Sequence, residues 1–197
     1  MNVREPLAAA PSDEQLMQRY RDGDASAFEP LYRRHRDAVY RYLLRGCSRP
    51  ELAGELFQEV WIGVVRTRAD WQPRARFATW LYRIAHNRLI DTWRSTPQGH
   101  EPLPDESDED GGTSIPPALW APAQERPDEQ QLAGERGARL RKALAALPRE
   151  QRDAFLLHEE SGMSLDEIAE ASGVGRETIK SRLRYALAKL REALADV

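Results

Sequence analysis

Apolar residues recur at intervals of three and four along most of this chain, the spacing that places them on one face of an α-helix. Residues 51–68 show this most fully, in two parallel rows: Leu52, Leu56, Val60 and Val64, and beside them Phe57, Trp61 and Val65. The combined stripe is too wide for one small core contact. No stretch sustains the two-residue alternation of a strand between turn residues. The pattern therefore predicts an all-α protein.

Helix boundaries follow from capping residues and breaks. Ser12 with Gln15, and Ser164 with Glu167, have the spacing of a capping box, and Pro50 suits a first helical turn. The predicted helices cover about 13–21, 25–44, 51–68 and 77–93, and then 136–146, 149–159, 165–172 and 176–194. We therefore expect two groups of helices with a long connection between them.

The connection, residues 96–135, has a composition of its own. It holds seven of the chain's 13 prolines, and it carries one Arg against 10 acids. Such a stretch cannot bury enough apolar surface to offset its ordering entropy, so it is predicted to be a flexible linker. Its one large apolar side chain, Trp120, is compatible with a transient packing contact or a functional one. Residues 1–95 hold 16 Arg and 12 acids and residues 136–197 hold 12 Lys and Arg and 10 acids, so the net charge of −3 conceals two mildly basic units.

The segment 164–184 reads as a short helix, a tight turn and a longer helix. Gly173 can end the first helix in the left-handed conformation, and Gly175 is a tolerable N-cap for the second. One face of the second helix is apolar: Ile179, Leu183, Ala186, Leu187, Leu190 and Leu194. The remaining surface is rich in Lys and Arg, with a single acid before Glu192, whereas an ordinary helical hairpin would usually mix both signs. The pattern favours a DNA-binding helix-turn-helix whose second helix enters the major groove.

Residues 71–94 interleave five aromatic residues with five arginines: Trp71, Phe77, Trp80, Tyr82 and Trp93, with Arg74, Arg76, Arg83, Arg88 and Arg94. A core helix with snorkelling arginines explains part of this pattern. A surface that holds a phosphate backbone and stacks unpaired bases explains it more fully. Both interpretations stay open from the residues alone.

An enzymatic function is not indicated. The four histidines are scattered, and no phosphate-binding glycine loop or nucleophile elbow is present. We expect no catalytic residue, no metal and no cofactor. The single cysteine, Cys47, suits a reducing cytoplasm. No apolar run approaches the ~18 residues of a membrane span, and the N-terminus lacks a signal layout, so a cytoplasmic protein without direct membrane insertion is predicted.

Four stretches together resemble the extracytoplasmic-function (ECF) group of bacterial RNA polymerase sigma factors. They are Ala27-Phe28-Glu29-Pro30-Leu31-Tyr32, Glu55-Leu56-Phe57-Gln58-Glu59-Val60-Trp61, Phe77-Ala78-Thr79-Trp80-Leu81-Tyr82-Arg83-Ile84-Ala85-His86-Asn87 and Ile179-Lys180-Ser181-Arg182-Leu183. The resemblance implies a flexible N-terminus (1–12), a four-helix region-two domain (13–95), an acidic linker (96–135) and a region-four helix-turn-helix domain (136–197). It implies a subunit that binds core RNA polymerase, directs it to promoters and helps open the DNA.

The resemblance also implies roles for individual residues. Core polymerase would be bound by Glu55, Leu56, Gln58, Glu59 and Trp61, with partial burial of these residues as an open alternative. The minus-ten element would be recognised and opened by Trp71, Arg74, Arg76, Phe77, Trp80, Arg83, Asn87 and Arg88. Base preference there is open, because Pro73, Arg74 and Arg76 depart from the commoner acidic or glycine-bearing loops of the family. The upstream, minus-thirty-five element would be contacted by Arg176, Glu177, Thr178, Lys180, Ser181, Arg182, Arg184 and Tyr185.

The implied partners are core RNA polymerase, promoter DNA as duplex and as melted strand, and an anti-sigma factor that is often membrane-anchored and can hold the protein at the inner membrane face. The alternative from another functional class is a stand-alone helix-turn-helix regulator, which would bind a palindromic site without polymerase. An all-helical metal enzyme is the third hypothesis and has the least support from the residues.

Overall fold

The computed structural model describes residues 10–73, 76–95 and 127–195, with side chains described from residue 137 in the last range. The described residues form eight α-helices and two short 3-10 helices and contain no strand, which confirms the all-α prediction. The α-helices are α1 (Asp13–Arg21), α2 (Phe28–Cys47), α3 (Pro50–Thr67), α4 (Phe77–Ser95), α5 (Pro127–Ala146), α6 (Arg149–Ser161), α7 (Leu165–Ser172) and α8 (Arg176–Leu194). The 3-10 helices are Ala25–Ala27 and Arg68–Asp70. Residues 1–9 of the predicted N-terminal tail, and 96–126 of the predicted linker with Trp120, lie outside the described residues.

Local capping explains where several helices begin. Both predicted capping boxes are present: Ser12 accepts from the Gln15 amide and Ser164 from the Glu167 amide, and each cap amide donates back to the partner side chain. Gly173 ends α7 at φ 67°, the left-handed conformation expected for it. Such caps depend on residues three or four apart, so the sequence alone reveals them.

Two helix starts differ from the sequence prediction. Asp24 caps the 3-10 turn Ala25–Ala27, and α2 itself begins at Phe28. α5 begins at Pro127, nine residues before the predicted start, inside the stretch predicted to be linker. A proline at the first helical position followed by two acids is a favoured helix start, and the acidic composition of the linker obscured it.

The core of the N-terminal unit lies between α1, α2, α3 and α4. It includes the fully buried side chains of Met17, Leu31, Tyr42, Val60 and Phe77. Gly46 of α2 permits close approach to α4, because a Cβ built there would lie 2.5 Å from Leu89 Cδ2. The C-terminal unit, α5 to α8, packs around Leu144, Phe155, Leu156, Met163, Ile179 and Ala186.

Candidate nucleic-acid interface

The helix-turn-helix α7–α8 has the geometry that its sequence predicts. Ile168 and Ala169 of α7 and Ile179 and Leu183 of α8 are buried, so the two helices share one apolar contact. The opposite side of α8 is open. Arg176, Glu177, Thr178 and Lys180 are exposed, and Ser181, Arg182, Arg184 and Tyr185 are half-buried.

Arg176 and Lys180 of α8 take part in exposed ion pairs. Arg176 Nε lies 3.2 Å from Asp166 Oδ1, and Lys180 Nζ lies 3.6 Å from Glu177 Oε2, with each of these side chains more than half exposed. Exposed pairs of this kind contribute little to stability, so these cations can exchange a carboxylate for a phosphate at small cost. Arg184 lies over the Tyr185 ring, 5.1 Å from its centroid, which keeps both side chains together on this face.

The second candidate surface lies on α4. Trp80 is half-buried and Arg76, Arg83, Asn87 and Arg88 are exposed, as a nucleic-acid surface requires. Arg74 lies outside the described residues. Two predicted contact residues are instead part of the core: Trp71 is 1% exposed and Phe77 is not exposed at all. Both rings are buried in this conformation, and the Phe77 ring contacts His35 of α2, so direct contact of either ring with DNA stays a prediction.

The predicted polymerase surface on α3 is also only partly exposed. Glu55, Gln58 and Glu59 are exposed, whereas Leu56 and Trp61 are 3% and 6% exposed and belong to the domain core. Their burial is the alternative that the sequence left open, Trp61 also lines the apolar groove beside α3, and contact with polymerase through either residue stays a prediction. The sequence prediction did not assign Ile62 or Val65 as contact residues, and they are 48% and 39% exposed. Because α3 is apolar on two sides, the sequence alone does not show which of its apolar residues face the solvent.

Ile62 and Val65 border an open apolar groove of about 470 Å³ between α2 and α3. Aromatic rings form its floor and walls: Phe28, Tyr32, Phe57 and Trp61. These rings contact one another with centroid distances from 4.9 to 6.3 Å, so the groove is preformed. A preformed aromatic groove with exposed aliphatic rims suits an amphipathic helix.

The two units contact each other through polar side chains on α2, α4 and α6. Tyr42 of α2 donates a hydrogen bond of 2.7 Å to Asp153 Oδ1 of α6. His86 Nδ1 of α4 lies 2.9 Å from Asp153 Oδ2, an ion-pair distance at which the ring is not aligned for a hydrogen bond. Burial, and then the charge and hydrogen bond of Asp153, raise the pKa of Tyr42 well above its ordinary value, so this phenol stays protonated and donates.

Arg152 of α6 joins the ends of two helices. Its guanidinium donates to the Gly46 carbonyl at 3.1 Å and the Ser48 hydroxyl at 3.1 Å beside the end of α2, and to the Leu147 carbonyl at 3.1 Å after α5. A cation at a helix C-terminus is favourable because unpaired carbonyls and the helix dipole concentrate negative charge there. Glu160, at the other end of α6, is paired with Arg45 and lies 3.7 Å from Arg41.

α7 covers part of α4 in this arrangement. Glu167 Oε1 accepts from Thr79 at 2.7 Å, and Glu170 pairs with Arg83 at 2.6 Å. Carboxylates of the C-terminal unit therefore hold Thr79 and Arg83 of α4 in this arrangement. A cleft of about 950 Å³ beside this contact brings together predicted contact residues of both surfaces, Asn87, Arg88 and Arg182.

Within the described residues, no group of three or more His, Cys, Asp or Glu side chains is arranged to hold a metal ion. In the same residues, none of the helices combines the length and apolar character needed to cross a membrane.

Two family models match the chain: Sigma-70 region 2 over residues 31–97 and Sigma-70, region 4 over residues 137–190. RNA polymerase sigma factor CarQ of Myxococcus xanthus is 33% identical over 183 residues, covering 92% of this chain and 97% of that protein. ECF RNA polymerase sigma factor RpoE of Cereibacter sphaeroides is 32% identical over 184 residues, covering 91% and 93%. The fold is similar to that of CnrH in complex with the cytosolic domain of CnrY, with a TM-score of 0.62, 22% identity and coverage of 95% of this chain and 100% of that chain.

Proposed function

The chain belongs to the extracytoplasmic-function group of sigma factors, which direct RNA polymerase to promoters and are not a class of enzymes, and we propose that its two units read two promoter elements. Residues 136–197 read the minus-thirty-five element with α8. Lys180, Ser181, Arg184 and Tyr185 face base edges, and Arg176 with Arg182 contacts phosphates. The cation-rich face of α8, next to a helix α7 that is capped at both ends, carries this part of the proposal.

Residues 13–95 recognise the minus-ten element with α4. Arg76, Arg83 and Arg88 hold the strand backbone, and Trp80 and Asn87 receive an unpaired base. The buried side chains of Trp71 and Phe77 support the beginning of α4. Exposed cations around a half-buried tryptophan support this role, because the aromatic face needs a fixed position to stack on a base.

The apolar groove beside α3 binds core polymerase. Ile62 and Val65 supply apolar area, while Glu55, Gln58 and Glu59 form a polar rim on the same helix. The partner of this kind of groove is an amphipathic helix, and in this family it is the clamp coiled coil of the largest polymerase subunit. A charged rim around an apolar centre is the usual anatomy of a protein interface.

The contact between the units opens before promoter DNA is bound. Glu167 and Glu170 hold Thr79 and Arg83 of α4, so a DNA strand and α7 compete for the same surface. Polymerase binds the groove, and promoter DNA binds both α4 and α8. Only the separated arrangement allows these three contacts at once, so the partners favour it.

An anti-sigma factor is a further proposed partner. Solved relatives of this fold include CnrH bound to the cytosolic domain of CnrY and a Bartonella quintana RpoE bound to the anti-sigma factor NepR. The exposed groove of this chain offers such a protein the same apolar area that it offers polymerase. We place the protein in the cytoplasm, with membrane association only through that partner.

Transcription from promoter libraries tests the assignment of the two surfaces. Core polymerase with this chain should select sequences in a library randomised at the minus-ten element and in one randomised at the minus-thirty-five element. Asn87→Ala should flatten base preference in the first library alone, and Arg184→Ala in the second alone, by about 1–3 kcal/mol at the contacted base. Loss of both preferences from either substitution would contradict the assignment.

A further inference from the structure

Helix α1 holds both ends of the connection that leads into α4. Glu14 Oε1 accepts a hydrogen bond of 3.1 Å from the backbone amide of Phe77, the first residue of α4. Arg21 Nη1 donates to the backbone carbonyl of Trp71 at 3.3 Å. Both bonds are partly buried and join residues 63 and 50 positions apart, so neither follows from local turn chemistry.

The bond from Phe77 is a helix cap supplied by a distant helix. The first amides of a helix have no intrahelical acceptor, and a carboxylate at that end also interacts favourably with the helix dipole. Glu14 therefore favours the start of α4 at Phe77. The bond to Trp71 sits at the opposite end of the connection, directly after the 3-10 helix Arg68–Asp70.

Helix α1, which carries Glu14 and Arg21, is itself held firmly in the N-terminal unit. Leu16, Met17 and Tyr20 of α1 are buried in the N-terminal core. Asp13 accepts from Arg34 at 2.7 Å and lies 2.6 Å from His35 Nε2, which ties the beginning of α1 to α2. The His35 ring in turn contacts the Phe77 ring with centroids 5.1 Å apart. A rigid support of this kind transmits position, because a packed core does not deform continuously.

We propose that Glu14 and Arg21 are positioning residues for minus-ten recognition. By setting the first turn of α4 and the beginning of the connection, they fix the direction of Trp80, one turn further along, and of Asn87 beyond it. The proposal rests on the proposed function, in which α4 reads the minus-ten element. Glu14 and Arg21 both lie outside residues 31–97, the part matched by the region-two family model.

The test measures base selectivity by the full-length chain with core polymerase. A library randomised at the minus-ten element and a second randomised at the minus-thirty-five element are transcribed, and the preference at each position is determined by sequencing the transcripts. Glu14→Ala should reduce discrimination at one or more minus-ten positions by roughly three- to tenfold, the range that corresponds to loss of a helix cap. Arg21→Ala should act in the same direction, and minus-thirty-five preferences should remain unchanged.

Three controls separate positioning from general destabilisation. Glu14→Gln keeps an acceptor oxygen and should retain most of the selectivity, even if Glu14→Ala lowers the melting temperature. Glu29→Ala removes an exposed carboxylate paired only with Arg33 within the described residues, and Arg36→Ala removes an exposed arginine on α2. Both should leave the preferences of the unsubstituted chain in place.

The outcomes distinguish the inference from the function on which it depends. A fall in transcript yield with unchanged minus-ten preferences, or equal flattening of both libraries, would show that α1 only stabilises the domain and would overturn the proposal. If Trp80→Ala and Asn87→Ala leave minus-ten preferences intact, the reading role of α4 fails, and the positioning role falls with it. If those two substitutions flatten the preferences but Glu14→Ala and Arg21→Ala do not, only the positioning role is wrong.

Discussion

Removal of the Tyr42 hydroxyl should release the contact between the two units. Tyr42 and Asp153 are both buried, and their 2.7 Å bond joins α2 to α6. A hydrogen bond to a carboxylate contributes about 1.5–3 kcal/mol, and this contribution is lost when the hydroxyl is removed. Tyr42→Phe keeps the ring against Tyr82 and should shift the equilibrium towards separation by roughly 10- to 100-fold.

The assay measures the distance between the two units directly. Spin labels at Arg36→Cys and Lys189→Cys, two exposed positions on α2 and α8, report it by pulsed electron resonance in a Cys47→Ser background. The labelled chain that retains Tyr42 should give one short distance between the two spin labels. The labelled Tyr42→Phe chain should show a second, longer distance as well. Tyr40→Phe is the matched control, because Tyr40 lies on the outer side of α2 against Phe57.

The transcription assay supplies the functional half of this prediction. At limiting polymerase, Tyr42→Phe should raise promoter-dependent initiation because less free energy is needed to uncover α4. An unchanged distance distribution, or a longer component that appears equally with Tyr40→Phe, would refute the reasoning. So would increased separation accompanied by reduced initiation at constant thermal stability of each unit.

Three further predictions concern the groove, the core and one pH-sensitive cap. Ile62→Asp should weaken binding to core polymerase at least about tenfold in a pull-down titration, with the thermal unfolding curve unchanged. Gly46→Ala should destabilise the N-terminal unit by about 1–3 kcal/mol in urea, because the new methyl group meets the buried Leu89 side chain. Burial acts to raise the pKa of Glu167, but hydrogen bonds from Ser164 and Thr79 lower this pKa overall. The stabilisation that Glu167 provides should therefore be complete above about pH 5 and should be lost as acid protonates the carboxylate below its ordinary pKa of 4.5.

Each of these predictions has a result that contradicts it. Unchanged polymerase affinity in the Ile62→Asp chain would remove the groove from the interface. A Gly46→Ala chain as stable as the original would mean that Leu89 can move aside at a cost no larger than the roughly 1 kcal/mol that alanine gains over glycine in a helix. For the acid transition, the Glu167→Gln chain should be less stable than the original near pH 7 and equally stable at low pH. A constant difference across that range would exclude Glu167 as the titrating group.

Sequence reasoning recovered the features that depend on neighbouring residues. The capping boxes at Ser12 and Ser164 and the left-handed turn at Gly173 involve groups a few positions apart, and the structure contains all three. The start of α5 at Pro127 was missed because a local helix signal lay within an acidic, proline-rich composition that predicts a linker.

The division between core and surface was less accessible. Periodicity shows which residues share a helix face, but a stripe that is apolar on two sides does not reveal which row points inward. Leu56 and Trp61 were therefore assigned to a partner surface, with partial burial left open, and both are buried, whereas Ile62 is exposed and was not assigned. In residues 71–94, where aromatic residues alternate with arginines, the sequence likewise did not show that Trp71 and Phe77 are buried.

The contacts that carry the positioning and closure arguments are non-local. Tyr42 and Asp153 are 111 residues apart, and Glu14 and Phe77 are 63 apart. No periodicity or spacing rule relates such pairs, because their proximity results from how whole helices pack. A single sequence could therefore predict the helices that bear these residues but not their pairing.

Promoter opening is the most direct test of the central claim that two DNA-reading surfaces act together only on polymerase. Permanganate footprinting of unpaired thymines should be done on a selected promoter with core polymerase, with this chain, and with both. We predict reactive thymines in the minus-ten element only when both are present, and loss of that reactivity in the Asn87→Ala chain. Tight protection of a palindromic duplex site by the chain alone, with no polymerase-dependent opening, would contradict the account and identify a stand-alone regulator.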